Sequence, residues 1–270
     1  MSADAVGERP VAVVTGASAG IGAATARALG ARGWAVVLVA RRAERLAEVA
    51  ADVEVAGGAA LAAPLDAADG TALLALRDRV AAELGPVRAL VNSAGAGTWR
   101  WVEDTPPAVF EGMLDAPLRA AWHATHAFLP GMIEVGRGVV VHVGSPASLA
   151  PWPGATGYTV SRWGLRGLHE ALRQDLRGTG VRSCHLLLGE VTSEYFTANP
   201  DSRQHIPRVA RIIRTIAPEE AAAAVLRCLD RPRDQVFHPR ALGVLQAVNR
   251  VAPGIVADLA WRTGRRRPAP

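Results

Sequence analysis

The 270-residue chain contains no lysine; all 30 of its basic residues are arginine. Every cationic task therefore falls to a guanidinium, which holds its proton and is a poor proton shuttle. Asparagine occurs only at positions 92, 199 and 249, within a composition rich in alanine, as GC-rich coding would produce. Cysteine is scarce, and two residues, Cys184 and Cys228, exclude a disulfide-framework protein. They fit a reducing compartment, so a cytoplasmic location is expected. No run of about 18 or more uncharged apolar residues exists, which argues against a membrane-spanning helix. The first ten residues carry Asp4 and Glu8 and no apolar run, unlike a secretory signal. No grouping of His, Cys, Asp and Glu has metal-ligand spacing, so no metal is expected.

What is present is a globular composition. Half the residues are apolar, a fifth are charged and the net charge is +5, which excludes a disordered chain. The length suits one α/β domain over 1–270. The positive charge is uneven: residues 203–270 hold 13 arginines against 5 acids, whereas residues 1–202 hold 17 against 20. These arginines are scattered over helical faces and a tail, Arg265-Arg266-Arg267, with no nucleic-acid motif beside them. They are read as a solvated face, and no nucleic-acid partner is expected.

Strand-like and helix-like stretches alternate. Apolar runs at 11–14, 34–40, 59–65, 87–91, 138–143, 181–188 and 235–238 predict seven strands. Helices are predicted at 21–31, 43–56, 70–84, 107–129 with an interruption at Pro117, 155–176, 219–229 and from Ala241 onward. Near-continuous apolar strands between helices imply a Rossmann-like, doubly wound parallel sheet covered on both faces. Ligands then bind at the carboxyl ends of the strands. The irregular stretch 189–218 is long enough to be a substrate lid.

After the first strand comes Thr15-Gly16-Ala17-Ser18-Ala19-Gly20-Ile21-Gly22, leading into a helix. Three glycines there let the backbone turn tightly and approach a diphosphate at the helix N-terminus. The second strand is followed by Arg41-Arg42, with no acid to take a ribose 2′-hydroxyl. Arginine suits a 2′-phosphate, so NADP(H) is favoured over NAD(H). Asp66, past the third strand, is placed for the adenine amino group, although Asp-Ala-Ala-Asp also fits a helix cap.

At this point the chain resembles the single-domain branch of the short-chain dehydrogenase/reductase family. The resemblance rests on the 15–22 motif, on Asn92-Ser93-Ala94-Gly95, on Ser145, on Tyr158 thirteen residues later, and on Gly189-Glu190-Val191-Thr192-Ser193. It implies a cofactor site of Thr15, Gly16, Ser18, Gly20, Ile21, Gly22, Arg41, Arg42, Asp66, Asn92, Ala94, Gly95, Gly189 and Val191. It also implies that Tyr158 is the general acid or base, with Ser145 bonding the substrate oxygen. A free phenol titrates near about 10, so such a tyrosine needs a nearby cation to work at neutral pH. Family members commonly pair through the two long helices, here 107–129 and 155–176, so a homodimer or homotetramer is expected.

The chain departs from the family at three points. The Tyr-x3-Lys pattern is Tyr158-Thr159-Val160-Ser161-Arg162 here, so Arg162 takes the lysine's place. It can supply the charge and donate to hydroxyls, but a proton relay through it is doubtful. The helix asparagine falls at about Pro117, and the Pro-Gly after the sixth strand is Leu188-Gly189. Two readings follow. One is an NADP-dependent ketone reductase or alcohol dehydrogenase with Ser145, Tyr158 and Arg162 as catalytic residues. The other is an atypical member with lost or altered redox activity, either a non-redox cyclase or lyase or a nucleotide-binding partner subunit.

Trp99, Trp101, Trp152, Tyr195 and Phe196 are the candidate pocket residues, many for a chain with 5% aromatics. They predict a bulky apolar or aromatic substrate. His142 and His185 fall in predicted strands and are expected to be packed. The stretch after Ala241 is expected to lie on the domain or a second subunit, with membrane-surface contact as the lesser alternative.

Overall fold

The computed structural model describes residues 9–192, 195 and 199–267. Seven strands form one sheet: β1 Val11–Thr15, β2 Ala35–Ala40, β3 Ala59–Pro64, β4 Val87–Asn92, β5 Gly138–Gly144, β6 Val181–Leu188 and β7 Gln235–His238. All pairings are parallel, in the order β3-β2-β1-β4-β5-β6-β7. Nine α-helices connect and flank them in the described residues: α1 Gly20–Gly30, α2 Ala43–Val55, α3 Gly70–Glu83, α4 Pro107–Leu114, α5 Ala120–Val135, α6 Thr156–Asp175, α7 Pro218–Asp230, α8 Ala241–Val251 and α9 Pro253–Thr263. None is long and apolar enough to cross a membrane.

The strands read as unbroken apolar runs because both of their faces are covered. In β1, Ala12 and Val14 enter a core shared with Leu29 of α1, Val53 of α2 and Val225 of α7. Val11 and Val13 enter the opposite core with Leu73 of α3, Phe128 of α5 and Leu172 of α6. Fully burying one such Val or Leu stabilises the fold by about 1.5–3 kcal/mol. Cys184 of β6 and Cys228 of α7 lie fully buried in the first core as free thiols.

The predicted long helix after Pro107 is three segments. A π-helical turn, Asp115–Arg119, separates α4 from α5, and Pro117 is buried inside it. Proline cannot donate to the α-helical ladder, so the backbone takes up the wider turn there. The C-terminal stretch likewise divides into α8 and α9, because Pro253 fits the first turn of a new helix. The predicted lid region holds short 3₁₀ turns at Pro200–His205 and Arg208–Ile212, and Val191 forms a parallel bridge with Ile216.

Strand order reverses between β1 and β4. That reversal opens a crevice at the carboxyl ends of the strands, where Thr15, Asn92, Ser145 and Gly189 all sit.

Candidate active site

The glycine turn after β1 is built around close backbone approaches. Gly16 (φ +69°) and Gly20 (φ +52°) occupy the left-handed region that favours glycine. A Cβ on Gly22 would lie 2.3 Å from the Gly16 carbonyl oxygen, and one on Gly16 would lie 2.8 Å from Cα of Ala94. Thr15 Oγ1 locks the turn to the end of β4 by accepting from the Ser93 and Ala94 N–H groups, both at 3.1 Å. No side chain caps α1 and no acid lies in its first turn, so its positive end faces the crevice uncompensated.

Arg42, at the end of β2, leans over this turn. Its Nε and Nη2 each lie 3.3 Å from Ser18 Oγ. Arg41 is exposed beside it. Asp66 Oδ1 accepts from the Ala68 N–H at 2.9 Å, forming a local turn. The cap of α3 belongs to Asp69, which accepts from Thr71 and Ala72. Glycines without room for a side chain, an open helix end and a guanidinium over the turn fit a dinucleotide phosphate chain.

Asn92 faces inward. Its Nδ2 donates to Thr125 Oγ1 at 3.3 Å and approaches His142 Nδ1 at 3.3 Å. Gly189 N–H donates to the His238 carbonyl, and Val191 is bridged to Ile216, so residues 189–191 just past β6 are held in place.

Tyr158 and Arg162 occupy one face of α6, a turn apart, and both are under 10% exposed. The Arg162 Cζ stands 4.9 Å from the centre of the Tyr158 ring. Its Nη1 lies 3.4 Å from the Val143 carbonyl, and a Cβ on Gly95 would come within 3.0 Å of Nη2. Arg162 therefore lies inside the crevice, with its charge against the phenol. Ser145 immediately follows β5, and its Oγ accepts from the Ala147 N–H at 3.3 Å, capping the short 146–148 turn.

The aromatic candidates separate into two groups. Trp99 packs on Tyr158 (centroids 5.4 Å) and on Trp152 (5.2 Å), and Tyr195 lies 6.5 Å from Tyr158. Tyr195 donates its hydroxyl to the Gly97 carbonyl at 3.0 Å. Burial, reinforced by the neighbouring Tyr158, pushes the Tyr195 hydroxyl above its ordinary range, so it stays protonated. Trp101 does not join this wall; it meets His205 (5.8 Å) and Arg267 (4.9 Å). Phe196 lies outside the described residues. Ser202 and Ile206 cover part of the wall: Ser202 Oγ accepts from the Trp99 N–H at 3.1 Å, and Ile206 packs against the cluster.

One group was not singled out by the sequence. His169, eleven residues after Tyr158 on the same buried face of α6, lies between His142 and His185, with ring centroids 6.2 and 5.5 Å away. Ser183 Oγ meets its Nδ1 at 2.8 Å. Burial lowers His142 to about 3 and His169 to about 4, and burial with its two histidine neighbours also lowers His185. All three imidazoles are neutral at neutral pH. The helical spacing 158, 162, 165, 169 was the available signal. Among the described residues no cluster of His, Cys, Asp or Glu can hold a metal ion.

A family model described as short chain dehydrogenase matches residues 10–204. The chain belongs to that family. It is similar to a short chain dehydrogenase of the fungus Pseudocercospora fijiensis, 37% identical over 68% of this chain and 60% of the relative's length. Among solved structures it resembles a metagenomic short-chain oxidoreductase in complex with NADP, at 32% identity and a TM-score of 0.71 over 85% of this chain and 96% of that one. It shares its fold with a Mycobacterium paratuberculosis short chain dehydrogenase bound to NAD, at 24% identity and a TM-score of 0.74, with the same coverage. Membership of that family places the chain among the oxidoreductases.

Proposed function

We propose that this short chain dehydrogenase is an NADP-dependent reductase or dehydrogenase for a bulky apolar or aromatic ketone or alcohol. The observation that carries the reading is the Arg162 guanidinium held 4.9 Å from the Tyr158 ring, where the family places a lysine. Thr15 to Gly22, Asn92 to Gly95, Gly189 and Val191 would line the cofactor, with Asp66 toward its adenine end. Arg41 and Arg42 would take a 2′-phosphate; the reach of Arg42 to Ser18 supports this. The cofactor supplies or accepts the hydride when bound.

The chain's own groups handle the oxygen. Tyr158 passes a proton to or from the substrate oxygen through its hydroxyl. Ser145 Oγ donates a second hydrogen bond and orients that oxygen. Arg162 stabilises the negative charge that Tyr158 carries after giving up its proton, and its low exposure strengthens that attraction. Trp99, Trp152 and Tyr195 exclude water and present ring faces to the substrate. Trp122 of α5 and Trp163 of α6 are exposed on the two long helices, which supports pairing of subunits there. Oxidation of NADPH with a panel of aryl and polycyclic ketones tests the proposal. Turnover with NADPH in preference to NADH is expected, and its absence across the panel despite NADPH binding refutes the redox assignment. Pro117, which stands in the π-helical turn without a side-chain donor, keeps the non-redox reading in view. That reading predicts that conversion of a substrate proceeds without NADPH consumption.

A further inference from the structure

We propose that the outer face of α8 and α9 docks on an anionic lipid surface. Val244, Val248 and Val251 follow i, i+4, i+7 along α8, Ile255 and Leu259 (i, i+4) continue along α9, and Trp261 is exposed on another flank of α9. All six are between 41% and 87% exposed, whereas Leu242, Val256 and Ala260 face the protein and are buried. Each helix therefore has a sheltered apolar side and a second, uncovered apolar side. Neither is long enough to span a bilayer, so the pair would lie in the interfacial plane.

The charge identifies the occupant. Residues 239–267 contain six arginines, at 240, 250, 262, 265, 266 and 267, and one acid, Asp258. Arg266 stacks on Trp261 at 5.0 Å, a ring and cation together on the exposed flank of α9. Guanidinium groups match phosphate oxygens, and a basic rim around an apolar stripe is complementary to anionic headgroups. A second copy of the same face would bring like charge against like charge.

The position connects docking to the site. Asn249 Nδ2 donates to the Leu149 carbonyl at 3.3 Å, and Val209 N–H donates to Thr263 Oγ1 at 3.4 Å. Arg267 pairs with Glu103 at 2.9 Å and lies over Trp101. The helix pair is thus fastened to the loops around the aromatic wall, with its uncovered side directed away from the protein.

Co-sedimentation of the full chain with vesicles tests this, using phosphatidylcholine alone or mixed about equally with phosphatidylglycerol. The wild type is expected to sediment with the mixed vesicles, less at high salt, and weakly with the neutral ones. V251E/I255E is expected to lose about tenfold or more of this binding and R265Q/R266Q several-fold, with unchanged melting temperatures because these side chains are exposed. No binding of the wild type to mixed vesicles, or full binding by V251E/I255E, overturns the proposal. If V251E/I255E instead converts a wild-type dimer to a monomer without vesicles, the face belongs to a second copy and the proposal also fails. NADPH binding on the same samples keeps the two inferences apart: intact NADPH binding without vesicle binding removes only the docking, and the reverse removes only the oxidoreductase reading.

Discussion

Replacing Arg162 by methionine tests the electrostatic core of the mechanism. The substitution removes the charge and keeps much of the side-chain length. The guanidinium carbon lies 4.9 Å from the centre of the Tyr158 ring. At an effective dielectric constant of about 20, a full negative charge on the ring at that distance gains about 3 kcal/mol. Losing that attraction in the transition state lowers kcat by roughly two orders of magnitude. The fold should tolerate the change. Arg162 Nη1 has a long 3.4 Å contact to the Val143 carbonyl, and Nε has no partner among the described residues. Exchanging a weakly bonded buried charge for an apolar side chain is often neutral or stabilising. R162M is therefore expected to melt at or above the wild-type temperature, bind NADPH, and turn over about 100-fold more slowly. R162K, which restores the family residue, should recover most of the rate. Steady-state NADPH oxidation with the best ketone, alongside thermal melting and cofactor titration, reads all three. A folded, cofactor-bound R162M within about threefold of wild-type kcat would refute the reasoning, because it would mean that the cation contributes little to the step.

Other consequences are open to direct measurement. R41A/R42A should weaken NADPH binding by about ten- to a hundredfold with little change for NADH, since a charged hydrogen bond contributes about 1.5–3 kcal/mol; fluorescence titration of both cofactors checks this. In G97A, the new methyl would lie 2.6 Å from Tyr158 Cδ2, so the ring must shift; kcat should fall far more than melting temperature, and equal losses would contradict a local effect. The three buried histidines titrate below the ordinary value of 6.5, His142 near about 3 and His169 near about 4. The unfolded chain therefore binds more protons between those values and 6.5, so stability is fully present above about pH 6.5 and falls as pH drops. The slope is about 1.4 kcal/mol per pH unit for each imidazole, and H142N/H169N should flatten it in urea denaturation followed from pH 7 to 5.

Much of this fold was legible because burial leaves a simple trace. Strands covered on both sides are apolar at every position, as in Ala35 to Val39, and no surface strand has that pattern. The glycine turn was legible because Gly16, Gly20 and Gly22 meet backbone constraints that no other residue satisfies. Tyr158 and Arg162 were paired by resemblance to the family's Tyr-x3-Lys pattern, which a helical turn places on one face of α6. Side-chain direction was less accessible. Nothing in the order Trp99, Arg100, Trp101 distinguishes the tryptophan that packs on Tyr158 from the one that meets His205, because loop backbone angles decide it. Likewise, Arg41-Arg42 marks a basic strand end without showing which guanidinium turns toward Ser18. His169 joins two strand histidines only once α6 is laid across β5 and β6, a relation that distant segments create.

The two thiols sealed between β6 and α7 also make the molecule its own reporter of opening. An alkylating reagent can reach Cys184 or Cys228 only when the helix lifts from the sheet, so its rate of uptake counts excursions of that half of the nucleotide fold. Bound dinucleotide should slow the uptake in proportion to its affinity for the closed form, giving an occupancy readout that needs neither substrate nor turnover.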